Sequence, residues 1–403
     1  MISVEAARRR ILYTISPLPA EQVAVGEALG RVLAEDLVSR VTQPPVAVSA
    51  MDGYAARQAD LAKLPARLKV VAMAPAGGAV PARIGAGEAV RIFTGGPVPD
   101  GADTIVIQEN TAREGEQVLV REPSPAGRYI RPAGLDFRAG EARLKAGRLL
   151  TSRDVGLAAA MDRPWLKVHR RPRIAILSTG DELAMPGEPR RPTDIVSSNG
   201  IALAAFCCAS GALPIDLGIA RDDRAALDGL IGAAEGADIL VTSGGASVGE
   251  HDLVQAALTA RGMALEFWKI AMRPGKPLTF GKLGSTAVLG LPGNPVSSLV
   301  CATIFLRPAI GRLLGMAEVP DPTEPARLGT DLEANDSRED YLRARLERDG
   351  GDWIATPFSK QDSSMLSFLS QADCLVVRPP LAPAAAKGAP VRILRLAGGS
   401  VGI

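Results

Sequence analysis

Only two histidines, His169 and His251, and four cysteines, Cys207, Cys208, Cys301 and Cys374, occur in 403 residues. With so few nitrogen and sulfur ligands, and no Cys-x-x-Cys pair, a zinc or copper centre is nearly excluded. Any metal must then be a hard cation held by carboxylates. Cys207 and Cys208 fall in an apolar helical pattern and read as buried thiols of a reducing cytoplasm. Aromatics make up only 4% and the net charge is +2. No basic run is interleaved with stacking aromatics, so no nucleic-acid footprint is expected. The longest apolar runs, around 201–209 and 299–306, are too short to span a bilayer, so no membrane association is expected. Residues 1–16 lack the apolar core of a signal peptide and read as an amphipathic first helix. A soluble, cytoplasmic protein is the expectation. What is plentiful is glycine (42) and proline (31), against 47% apolar and 22% charged residues. That is a globular chain with many tight turns, long enough for two to four domains.

Apolar spacing through Val4, Ile11, Val23, Leu29 and Leu33 predicts a mostly helical stretch to residue 43, closed by Pro44 and Pro45. From 46 to 138 the texture changes to short β-like runs at 68–72, 88–93, 104–108 and 117–120. Helical patterning returns at 152–161, so a helical module, 1–45 with 139–171, is predicted to be split by an inserted β module. Over 172–315 strands and helices alternate: strands at 174–177, 215–219, 239–242, 265–270 and 287–291, helices at 200–210, 223–234, 253–261 and 296–314. Such alternation predicts a mostly parallel sheet with helices on both faces. Residues 316–403 show strands at 342–346, 353–356, 375–377 and 391–396, a small β module. The fold class is multidomain α/β plus β.

In an open parallel sheet, ligands bind outside the carboxyl ends of the strands. After 177 come Ser178, Thr179, Gly180, Asp181 and Glu182; after 219 come Arg221, Asp222 and Asp223. The buried run 239–242 feeds Thr242, Ser243, Gly244, Gly245 and Ser247, then Glu250 and Asp252. After 270 come Arg273 and Lys276, with Lys269 just before. After 291 come Pro292, Gly293, Asn294, Ser297 and Ser298, entering a helix. One such glycine loop is equally well a tight strand-to-helix turn, but five polar strand ends must meet on one rim. Glycines let backbone approach a ligand, and a helix N-terminus favours phosphate. Acids this crowded need cations, from Lys269, Arg273, Lys276 and a magnesium-like ion. Asp181 and Asp223 also read as helix caps. The loops at 49–55, around Asp52, and 93–99, around Thr94, read as structural turns when taken alone.

Taken together, these segments resemble the molybdopterin molybdenumtransferases, the MoeA or gephyrin E-domain family. The matching stretches are SAMDGYA (49–55), IFTGGPVPDGADTIVIQE (92–109), STGDEL (178–183), TSGGASVGEHD (242–252), RPGKP (273–277) and GLPGNPVSS (290–298). They are spread over most of the chain in the family's order. The resemblance implies insertion of molybdenum from molybdate into adenylylated molybdopterin, with release of AMP and help from magnesium. It implies four domains: the split helical one, the inserted β domain, a pterin-binding α/β domain at 172–315 and a C-terminal β barrel. It implies a homodimer whose sites are shared between chains, with Asp52 and Thr94 reaching in from the partner. Glu182, Asp222 and Asp252 are the implied magnesium or oxyanion-pocket acids, and Lys269, Arg273 and Lys276 face phosphate or molybdate. Arg343 and Ser363 contribute from the C-terminal module. No protein nucleophile is assigned, and metal-polarised water attacking the phosphoanhydride is the simplest expectation. Other implied partners are the enzyme that adenylylates molybdopterin and recipient molybdoenzymes. Three positions depart from the family's pattern. Val46-Ala47-Val48 stands where Phe-Asp-Asn is frequent, Arg273 where a lysine is usual, and Leu135 where a glutamate is usual. Hydrolysis alone at the same site, or a non-catalytic cofactor-binding scaffold, are the competing readings.

Overall fold

The computed structural model describes residues 1–221, 223–244, 253–317 and 323–396. Asp222, Gly245, Ser247, Glu250 and Asp252 lie outside the described residues. The chain divides into two compact units. One joins Met1–Glu35, Ala146–Ser152 and Lys167–Ile403; the other joins Asp36–Lys145 and Arg153–Leu166.

In the first unit, Ile174 to Leu177 are all 0% exposed. A strand covered on both faces needs no polar alternation, which is why this run is uniformly apolar. It lies in the strand Arg173–Thr179, which pairs in parallel with Leu213–Ala220 on one side and Ile239–Ser243 on the other. Ile239–Ser243 pairs in parallel with Thr286–Leu291. The sequence pattern did not show the next strand, Pro277–Leu283, whose proline and glycine read as loop residues. It runs antiparallel between Thr286–Leu291 and Ala264–Lys269. Two antiparallel steps restore direction, so Ala264–Lys269 points the same way as the four parallel strands, and five carboxyl ends share one rim.

Alternate side chains of this sheet fill two cores. Ala175, Leu177 and Leu240 meet Leu227 and Ile231 of helix Arg224–Ala233, and Val254 and Leu258 of helix Leu253–Ala260. Ile174, Ile176 and Val241 face the opposite way, towards Leu203 of helix Asn199–Ala209 and the helix Pro295–Leu313. Each such valine, leucine or isoleucine contributes roughly 1.5–3 kcal/mol when buried. Pro295–Leu313, at 19 residues, is long and apolar enough to cross a bilayer, but 83% of its apolar window is buried inside the protein, as in a core helix. Its turn Ala302–Leu306 is a π turn, with the Arg307 N–H donating to the Ala302 carbonyl. The wide turn comes just before Pro308, whose ring and missing N–H an unbroken α-helix does not accommodate without a kink.

The C-terminal strands Glu339–Asp349, Asp352–Pro357, Thr323–Leu328, Pro390–Arg395 and Cys374–Arg378 pair in that order. Cys374–Arg378 then returns to Glu339–Asp349, closing a five-stranded barrel without a free edge. Thr323–Leu328 was not legible in the pattern. Met272–Arg273 adds a short parallel pairing onto Glu339 and Asp340.

Two expectations are corrected. The helix predicted through residue 43 covers only Val4–Thr14, capped by Ser3, whose hydroxyl accepts from the Ala6 N–H at 3.2 Å. Pro17 and Pro19 cannot donate to a helix, and Ala20–Ala24 is a strand. Cys207 is buried as expected, but Cys208 is exposed. Adjacent helical residues point roughly 100° apart, so only one of the pair faces the core. Burial pushes the Cys207 and Cys374 thiols up to about 12. The helix at Ser152–Ala160 forms as the pattern predicted.

The second unit carries a six-stranded sheet in the order Thr104–Ile107, Gly53–Ala56, Glu88–Ile92, Ala66–Ala74, Gln117–Val120, Thr111–Glu114. Ala55, Val90, Ile92 and Ile105 fill one face, and Tyr54, Leu68, Val106 and Val118 the other.

Candidate active site

The strands Arg173–Thr179 and Ile239–Ser243 deliver two loops that touch backbone to backbone. Gly244 has φ +94, and a Cβ there would stand 2.6 Å from the Thr179 carbonyl oxygen and 2.9 Å from Thr179 Oγ1. Only glycine permits that approach. Among the described residues, Thr179 Oγ1 and Ser298 Oγ are buried without a hydrogen-bond partner. Asn199, the first residue of its helix, ties the rim together: its Nδ2 donates to Ser243 Oγ at 2.9 Å and to the Gly293 carbonyl at 2.7 Å. Asn294 Nδ2 donates to Ser363 Oγ at 2.8 Å, and the Val296 N–H to the Ser363 carbonyl at 3.1 Å. A barrel loop is thereby held against the helix start. One free donor expected for phosphate at that helix start is thus already taken.

Arg343 works from beneath this loop. It is 1% exposed, and its guanidinium donates to Gln361 Oε1 at 3.3 Å and to the carbonyls of Met365 and Lys360 at 3.1 and 3.4 Å. A buried cation is tolerated because those oxygens satisfy it.

The cations differ in what they already hold. Lys269 Nζ sits 3.8 Å from the centroid of the Trp268 ring. Lys276 is exposed. Arg273 is committed to the barrel: Nε donates to Asp340 at 2.9 Å, a second guanidinium nitrogen bonds the same carboxylate, and Nη1 lies 3.7 Å from Asp336. Hydrogen bonds from Arg338 hold the Asp336 carboxyl down to about 2, with Arg273 adding to the effect. Gly275, between Arg273 and Lys276, has φ +111, and a Cβ there would meet Cys301 Sγ at 2.5 Å.

Among the acids, Asp223 is a helix cap, accepting from the Ala226 N–H at 2.8 Å. Asp181 caps no helix. It stands in a turn, and its carbonyl accepts from Arg221 at 2.8 Å and Arg191 at 3.1 Å. The Glu182 carboxylate folds back over Gly180, where an added Cβ would come within 2.5 Å of Oε2. No group of three or more His, Cys, Asp or Glu suited to a metal occurs among the described residues. The hard, exposed oxygens of Glu182 are the part of the expected magnesium set that the described residues supply, and their chemistry fits such an ion.

These groups enclose a cleft of about 1130 Å³. Of the residues expected there, Ser178, Thr179, Gly180, Glu182, Ser243, Gly244, Lys269, Arg273 and Lys276 line it, as do Pro292, Gly293, Asn294, Ser297 and Ser363. Asp181, Thr242, Ser298 and Arg343 are outside the lining. Asn199, Gln361 and Ser364 line it and were missed. Asn199 follows Ser197-Ser198 at a helix start, so a polar side chain there reads as a cap, and nothing in the spacing shows that it reaches two other strand ends.

Asp52 and Thr94 belong to the second unit. Thr94 donates to Asp52 Oδ1 through its N–H at 2.7 Å and its hydroxyl at 2.8 Å. Those bonds hold the Asp52 carboxyl below the usual carboxylate range.

A doubly covered sheet with a hydroxyl- and lysine-lined cleft at its carboxyl rim, together with a closed barrel, defines a multidomain α/β protein whose cleft has the chemistry to receive an anionic ligand. Family models then match nearly the whole chain: "MoeA N-terminal region (domain I and II)" over 2–161, "probable molybdopterin binding domain" over 175–312, and "MoeA C-terminal region (domain IV)" over 325–396. The chain is 37% identical to the molybdopterin molybdenumtransferase of Nostoc sp., covering 98% of this chain and 94% of that one. It is 33% identical to that of Haemophilus influenzae, with 94% of each chain covered. A solved MoeA protein from Pyrococcus horikosii superposes with a TM-score of 0.85 at 31% identity, over 99% of this chain and 100% of that one. The chain belongs to the MoeA family, and it is a transferase of that family's kind.

Proposed function

We propose that this chain completes the molybdenum cofactor, inserting molybdenum from molybdate into adenylylated molybdopterin and releasing AMP. The observation that carries the proposal is the large cleft at the strand ends, which combines close-packed loop backbone, hydroxyl groups and Lys269 and Lys276. A pterin dinucleotide is long, and its phosphates need such donors along one groove. Lys276 and Lys269 supply positive charge to the phosphoanhydride and to molybdate. Arg273, held by Asp340, places its guanidinium in the same wall. Ser297, Ser363 and Ser364 offer hydroxyls to oxyanions. Water attacks the adenylyl phosphorus, the phosphoanhydride P–O bond breaks, and AMP and molybdopterin monophosphate part. The two dithiolene sulfurs then bond molybdenum, and one molybdate oxygen leaves as water with the two thiol protons, so no change of oxidation state is needed. Glu182, together with Asp222 and Asp252, would hold magnesium, which when bound neutralises phosphate charge. The proposal includes the four-domain division, a cytoplasmic location, and a homodimer in which Asp52 and Thr94 of one chain complete the site of the other. Its protein partners are the adenylylating enzyme and recipient molybdoenzymes.

Purified protein supplied with adenylylated molybdopterin, molybdate and magnesium should yield AMP together with cofactor that activates an apo-molybdoenzyme. AMP without metal insertion would show hydrolysis alone, and binding without turnover would show a scaffold. Asp252→Ala should abolish most turnover while thermal unfolding stays unchanged. Full turnover in that variant would remove Asp252 from the site.

A further inference from the structure

A second cleft, of about 590 Å³, opens in the first unit and shares no lining residue with the first. Its walls come from helix Val4–Thr14, from the long helix around its π turn, and from the barrel strands. Its surface is largely apolar, with Val4, Ile304, Pro308, Met316, Val377 and Leu394. Arg8 and Arg307 stand among them. Both are half-buried. The acids in the cleft are engaged elsewhere: Glu5 pairs with Arg9 at 2.5 Å, and Glu339 accepts from the Tyr341 hydroxyl. Arg395 is paired with Glu324. Among the described residues, neither Arg8 nor Arg307 has a carboxylate partner. Burial, and then the Arg8 charge, press the Arg307 guanidinium below its ordinary range. Two half-buried cations that repel each other are unfavourable unless an anion comes between them. The helix also departs from regularity here. The π turn Ala302–Leu306 carries Thr303 and Ile304 to this wall immediately before Arg307, and π turns recur at functional sites.

We propose that this cleft binds a small organic anion, its carboxylate or phosphate held between Arg8 and Arg307 and its apolar body against Ile304, Pro308 and Leu394. The volume suits such a ligand, and two guanidinium forks suit an oxyanion head better than two ammonium groups would.

Titration calorimetry on the full chain tests it with hexanoate and hexyl phosphate as probes, and with hexanol and inorganic phosphate as controls. One of the two organic anions should bind, and the better one tells carboxylate from phosphate. Each control should be weaker by about tenfold or more, because it lacks either head or body. Arg8→Met and Arg307→Met should each weaken binding by about tenfold, with AMP release at the first cleft unchanged. Glu318→Gln with Asp321→Asn tests for a carboxylate of the chain itself, since both acids follow Met316 in sequence. This double variant should bind as the parent does. The proposal is overturned if neither anion binds, if hexanol binds as well as the better anion, if both arginine variants bind normally, or if binding appears only after Glu318 and Asp321 are neutralised. Thermal unfolding of each variant separates loss of the cleft from loss of the fold.

Discussion

Asn199 and Gly244 show how a few atoms hold the rim. Asn199→Ala removes both bonds that join Ser243 to Gly293, and neither group it leaves is charged. We expect kcat/KM for AMP release to fall about tenfold, the worth of one or two neutral hydrogen bonds that position a loop, with little change in the urea midpoint. A loss seen only in stability, with normal kinetics, would make Asn199 a structural cap. Gly244→Ala should act on both quantities. Its φ of +94 and the 2.6 Å approach to Thr179 set a cost of at least about 1 kcal/mol in folding, with a larger loss in substrate binding. Both residues mark the edge of what sequence reading reaches. Gly244 was legible as a rim residue because it follows one of five strand ends that must meet on one rim, although its loop alone reads equally well as a tight turn. Asn199 was not, because its role depends on three strand ends lying side by side. Arg343 was expected at the site through the family resemblance, whereas the structure buries it outside the cleft lining, beneath the loop that presents Ser363.

At the scale of elements, the parallel core was readable because strands buried on both faces are written as unbroken apolar runs. The Pro277–Leu283 strand hid behind its proline and Gly281, where the backbone instead packs closely against Ala264 and Met263. The first helix was overextended because apolar spacing continued past two prolines that end it. The barrel loop at 358–366 depends on Arg343. Arg343→Ala leaves the Lys360 carbonyl without its donor and the Met365 carbonyl with the Phe368 N–H alone, and it opens a void, so it should cost about 2–4 kcal/mol in urea unfolding. The neighbouring turn adds a pH dependence. Asp336 is held at about 2 in the folded chain, against 3.8 when unperturbed. A carboxyl with a depressed folded value stabilises the fold above its unfolded value and loses that contribution as pH falls. Wild type and Asp336→Asn should therefore differ in thermal midpoint at neutral pH and converge as pH falls from 3.8 towards 2. Curves that stay parallel throughout would assign the effect to something other than this carboxyl.

For the molecule as a whole, the open question is where Asp52 acts. It belongs to one compact unit and the cleft to the other, and its carboxylate is kept ionised by the Thr94 N–H and hydroxyl. A half-buried acid held in that way suits a role towards a ligand or its cation better than a role in folding. If the active assembly is a homodimer with shared sites, light scattering should give about twice the 42.0 kDa of one chain. Complementation then tells a shared site from a self-contained one. Asp52→Asn and Asp252→Ala chains, co-expressed with different tags and purified through both, form dimers carrying one lesion per chain. In a shared arrangement one site receives both lesions and the other receives none, so each such dimer keeps about half the wild-type turnover, although each parent homodimer is inactive. In a self-contained arrangement every site carries one lesion and the doubly tagged dimer is as inactive as its parents. The two outcomes cannot be confused, because thermal unfolding can verify that both chains remain folded.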